Sequence, residues 1–163
     1  MPQRARRAAL GAVMAWALGW VLGFMPLAAP AQELPDHLAR AGFTPLHAAV
    51  WRHDVAAIQR LVQQGAPIDR ASDAGITPLH SAAMQPQPEA LRALIALGAK
   101  LELRDRHGRT PLFVAAEVNP EPQAVIEALL AAGADRGAVD RFGKTPAQVC
   151  WKPAACDLLR HPA

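Results

Sequence analysis

Three copies of one tetrapeptide decide how this chain folds: Thr44-Pro45-Leu46-His47, Thr77-Pro78-Leu79-His80 and Thr110-Pro111-Leu112-Phe113. A weakened fourth copy follows at Thr145-Pro146-Ala147-Gln148, and the spacings are 33, 33 and 35 residues. Each threonine stands two residues after a glycine: Gly42, Gly75, Gly108 and Gly143. A Gly-Ala pair recurs late in each complete unit, at Gly65, Gly98 and Gly133. A fixed period of this length means that one supersecondary unit is repeated along the chain.

The unit dictates its own local structure. Threonine is a good helix N-cap and proline is favoured at the first helical position, so each Thr-Pro starts a helix. Leu46, Ala48 and Ala49 predict a narrow inner helix whose small residues permit close stacking. Val55, Ile58, Leu61 and Val62 recur at three- and four-residue spacing, the apolar stripe of a second, outer helix. Gly65 ends that helix by accepting the left-handed conformation. Asp105-Arg106-His107-Gly108 and Asp140-Arg141-Phe142-Gly143 read as tight turns closed by glycine.

The pattern T-P-L-H-x-A is intact twice, at Thr44 to Ala49 and Thr77 to Ala82, and on these residues the chain resembles the ankyrin repeat family. The resemblance runs from Gly42 to about Arg160. It implies an all-α solenoid of helix-turn-helix units joined by short β-hairpin-like turns. The units fall at 42–74, 75–107 and 108–142, with a truncated cap at 143–160. Residues 32–41 are expected to form an N-terminal capping helix, with Leu38 facing inward. No unit can bury its apolar face alone, so stability must come from stacked neighbours. Phe113 departs from the pattern and puts in doubt any inter-repeat bond the histidine makes. Two extra residues lie within Asn119-Pro120-Glu121-Pro122, read as a loop that absorbs them at little cost. Pro86 and Pro88 are expected to shorten or stiffen the matching turn of the second unit.

Composition adds an export signal. The 163 residues carry 17 Lys plus Arg against 14 Asp plus Glu, a formal charge of +3, and 52% are apolar, which excludes a disordered chain. The whole excess sits in Arg4, Arg6 and Arg7, ahead of an uncharged apolar run that ends at Leu27-Ala28-Ala29-Pro30-Ala31. A basic start, an apolar middle and small residues at Ala29 and Ala31 are the parts of a secretory signal peptide over 1–31. Cleavage is expected between Ala31 and Gln32, which leaves 14 basic and 14 acidic groups and no electrostatic case for a nucleic-acid partner. The protein is therefore expected in the periplasm. The competing reading keeps the segment as an inner-membrane anchor, since its uncharged run is long enough to span a bilayer.

In the repeat register Cys150 ends the inner helix of the cap and Cys156 starts its outer helix. An exported protein folds where disulfides form, so a Cys150–Cys156 bridge is expected, worth about 2 kcal/mol by chain entropy. A buried reduced pair is the alternative. Five residues separate the two, unlike the C-x-x-C of redox-active pairs.

Nothing in the sequence points to an enzyme. His47 and His80 belong to the repeat pattern, His37, His53, His107 and His161 are scattered, and no metal-ligand spacing occurs. No phosphate loop or nucleophile elbow is present, and no cofactor is implied. What the resemblance implies instead is a concave face made of turn tips and inner-helix ends. The candidate partner-binding residues there are Trp51, Arg52, Ile76, Met84, Arg106, His107, Arg109, Arg141, Phe142 and Lys144. Trp, Arg, Phe and Met are enriched where interfaces concentrate their binding energy. Trp51 is the expected anchor, and Arg106, Arg109, Arg141 and Lys144 are expected to meet an acidic patch on the partner. A merely solvated face is the bland alternative.

The leading expectation is an exported, non-enzymatic adaptor for another protein. Bacterial proteins of this kind include helpers of periplasmic enzymes and immunity proteins that inhibit a neighbour. Two alternatives are a membrane-anchored scaffold and a redox-sensing module using Cys150 and Cys156.

Overall fold

The computed structural model describes residues 35–160. The expected signal segment, its Ala31–Gln32 junction, residues 32–34 of the expected capping helix and His161 lie outside the described residues. The capping helix itself is one turn, α1 (Asp36–Arg40), with Leu38 half-buried.

Every Thr-Pro starts a helix. Thr44, Thr77, Thr110 and Thr145 hold extended backbones, and the helices α2 (Pro45–Trp51), α4 (Pro78–Ala83), α6 (Pro111–Val118) and α8 (Pro146–Val149) begin at the next residue. The return helices are α3 (Val55–Gln63), α5 (Glu89–Ala96), α7 (Gln123–Ala131) and α9 (Pro153–Arg160). The first three close by the same pair of bonds. At the end of α3, Gly65 N–H reaches the Val62 carbonyl and Ala66 N–H the Leu61 carbonyl, both at 2.9 Å. Gly65 has φ +89°, which a side chain would resist, and Gly98 and Gly133 repeat the closure.

Inner helices pack on inner helices and outer on outer, in chain order. Ala49, Ala82 and Ala115 are fully buried, which is what lets the inner helices approach each other. Leu46, Leu79 and Leu112, with Ile58, Leu91, Leu94, Ile126 and Leu129, fill the space between the two layers. No described residue forms a strand, and the tips are held by hydrogen bonds within each turn and from one tip to the next.

Two inter-helix turns depart from expectation, and they do so together. Pro86 and Pro88 do not shorten the turn of the second unit: it runs over 84–88, against 52–54 in the first. Two prolines supply no N–H, so the carbonyls at the end of α4 lack local donors. Asn119 makes up the deficit. It is fully buried, its Nδ2 donates to the Ala83 carbonyl at 2.9 Å and the Gln85 carbonyl at 2.6 Å, and its Oδ1 accepts from Glu121 N–H at 2.9 Å. The extra residues of the third unit are thus a staple to the second, and the reading of them as a passive loop is corrected.

The last unit is shorter. Helix α8 has 4 residues and stops at Cys150, whose backbone is extended at ψ 131°. Cys150 and Cys156 are bridged, with their Cα atoms 5.5 Å apart, inside the reach a disulfide requires. Ala155, Cys156 and Leu159 bury the inner side of α9.

Candidate partner-binding face

The face is built from the cap outward. His47 Nδ1 accepts the Thr44 N–H at 3.1 Å, while its Nε2–H donates to the Ile76 carbonyl at 3.0 Å. His80 repeats this one unit on, accepting from Thr77 N–H at 3.3 Å and donating to the Arg109 carbonyl at 3.0 Å. Each ring therefore ties its own helix start to the next tip. The arrangement requires the neutral ring, with one nitrogen accepting and the other donating. Burial lowers the pKa of both histidines against the opposing effect of the carbonyl bonds, which keeps them neutral at pH 7. Phe113, 1% exposed, has no polar atom to make the link, so the third unit lacks it. Gln148 keeps the cap alone, its Oε1 accepting Thr145 N–H at 2.8 Å.

The tips stack by backbone bonds. Asp73 N–H donates to the Ala41 carbonyl at 3.0 Å, Arg106 N–H to Ala74 at 3.1 Å and Arg141 N–H to His107 at 3.0 Å. That approach leaves no room for a side chain at Gly75, where φ is +77° and a Cβ would lie 2.9 Å from the Asp105 Cα. Within a tip, Asp105 Oδ1 accepts from His107 N–H at 2.8 Å and Arg109 N–H at 2.9 Å. Asp140 Oδ1 does the same for Phe142 and Lys144, both at 2.9 Å. These bonds fix the tip backbone and leave the side chains at 106, 107, 141 and 142 exposed.

Of the ten residues singled out in the sequence, Arg52, Arg106, His107, Arg141, Phe142 and Lys144 are exposed. Phe142 is 70% exposed, and the Arg141 guanidinium lies 4.6 Å from its ring centroid. Ile76 and Met84 are half-buried. Trp51 is half-buried too, its ring 4.9 Å from Phe43 and 6.3 Å from His47. The expected anchor thus packs within the chain and presents only part of its ring.

Arg109 is half-buried and engaged within the chain. Its guanidinium pairs with Asp105 at 2.7 Å and Glu117 at 2.6 Å, so its charge is used inside the chain. Burial alone would raise the Asp105 carboxyl, but the bonds from Arg109 and from the His107 and Arg109 amides outweigh it and hold the group below the usual carboxylate range. The four-residue spacing of Asp105 and Arg109 is a local signal of this pair in the sequence. Glu117 and Asn119 carried none, because their partners come from other elements.

Among the described residues, no three His, Cys, Asp or Glu side chains gather as a metal site, and no helix is long and apolar enough to cross a membrane. A family model described as ankyrin repeats in three copies matches residues 46–140, more than half of the chain. No curated protein matches it. Ankyrin repeats generally mediate binding to other proteins and are typically non-enzymatic. With its capped inner helices, glycine-closed outer helices and stacked tips, the chain belongs to the ankyrin repeat family.

Proposed function

We propose that this protein is an exported, non-enzymatic adaptor that binds another protein in the periplasm through the C-terminal half of its row of tips. One observation carries the reading. Arg106, Arg141 and Lys144 are exposed and form no ion pair among the described residues, and Arg141 lies over the ring of the exposed Phe142 on the same tip as Lys144. Cations on two neighbouring tips, one of them over an exposed aromatic ring, suit an acidic patch that also offers an apolar pocket. Arg52, His107 and Met84 extend the same face, while Ile76, Trp51 and Arg109 support it from beneath. Support for export comes from the arginines and small residues of 1–31, and from a bridged cysteine pair that suits an oxidising compartment.

Two measurements test this. Fractionation with N-terminal sequencing should find the protein in the periplasm beginning at Gln32; an intact Met1 in the membrane fraction would instead favour the anchored scaffold. An Arg106→Glu, Arg141→Glu variant should keep its unfolding midpoint within a few degrees, since neither guanidinium has an ion-pair partner to lose, yet bind the partner at least tenfold more weakly. Unchanged capture by a folded variant would place the interface elsewhere.

A further inference from the structure

We propose that the Cys150–Cys156 bridge is a redox-controlled latch on the last unit, whose reduction loosens residues 145–160 and with them the Phe142–Lys144 end of the exposed face. Its functional consequence rests on the partner-binding reading; the latch itself does not. The preceding inner helices have 7, 6 and 8 residues, and α8 has 4. In the first unit Asp54 N–H ties the joint to the Ala49 carbonyl at 3.0 Å, and Asn119 ties the turn of the third unit to that of the second. Among the described residues no hydrogen bond crosses from α8 to α9, and the bridge adds a covalent link to the side-chain packing at that joint. Pro146 is buried and Ala147 and Val149 are half-buried against the core, so α8 rests on α6, while Trp151 at the joint to α9 is 55% exposed.

The two sulfurs differ in access. Cys156 is 4% exposed, whereas Cys150 is half-buried at the rim. A dithiol reductant of the thiol–disulfide oxidoreductase class would therefore attack with its thiolate at Cys150 Sγ. The Cys150–Cys156 bond breaks, Cys156 leaves as a thiolate and takes a proton. The second thiol of the reductant then displaces Cys150 and becomes its disulfide. Two electrons pass from the dithiol to the protein. The coupling to the face is covalent and short: Lys144, whose N–H and carbonyl both close the tip on Asp140, immediately precedes the Thr145 cap of α8.

The test needs no partner. Amide hydrogen exchange is followed on the mature chain, oxidised and in dithiothreitol, and on a Cys150→Ser, Cys156→Ser variant. Losing the closure of so short a loop should speed exchange over 145–159 about thirtyfold in both the reduced protein and the variant. Amides of α2 to α5 should change less than twofold, and the variant should no longer respond to dithiothreitol. Equal protection of 145–159 with and without reductant would overturn the proposal. So would loss of protection throughout the array at once, because the bridge would then hold the whole fold. Neither outcome depends on which face a partner uses.

Discussion

Replacing Asn119 with alanine is expected to cost about 3 kcal/mol, the largest loss of any single polar side chain outside the tips. The change removes both donors from the carbonyls of Ala83 and Gln85, which lie three residues and one residue before Pro86, where the proline offers no backbone N–H. Burial is complete at Asn119, so water does not replace the amide without opening the second and third units. An Asn119→Asp variant should fare no better, because a carboxylate offers acceptors where donors are needed. Urea unfolding should show the lost stability with a lowered m-value, as the array divides between its second and third units. A loss below about 1 kcal/mol would mean that the two carbonyls find other partners.

Asp105→Ala should cost about 2 to 3 kcal/mol. Its side chain is 1% exposed and serves two backbone amides and the Arg109 guanidinium. The loss stays below that of a fully buried ion pair because Arg109 is near the surface and keeps Glu117. Asp105→Asn should recover about half, since an amide oxygen still accepts the tip amides. The pH dependence has a defined sign. Because the folded carboxyl is held below its ordinary value of 3.8, its stabilisation is complete above that pH and is lost as pH falls through the lower folded value. Wild type and Asp105→Asn should therefore converge in thermal midpoint under strong acid, and parallel curves would contradict the assignment.

The repeats were legible because their signals are local. Thr-Pro fixes where α2, α4, α6 and α8 begin, and Gly65, Gly98 and Gly133 fix where α3, α5 and α7 end, each within one turn of chain. The exposure of Arg106, Arg141 and Phe142 followed from the same register. What escaped the sequence was contact across units. Glu117 reaches Arg109 from an inner helix, and Trp51 meets Phe43 from the tip that precedes its own helix, contacts that the repeat pattern does not specify. Asn119 meets a turn 34 residues earlier, and no pattern within one unit announces that pairing.

Site-specific photo-crosslinking in the periplasm tests the central claim most directly. A benzoylphenylalanine is placed at Phe142 on the tip row, and in a separate protein at Arg92 on an outer helix, both exposed positions. The account predicts one dominant protein adduct from position 142, suppressed by the Arg106→Glu change, and none from position 92. The same adduct from position 92 with nothing at 142 would contradict it, placing the partner on the outer helices.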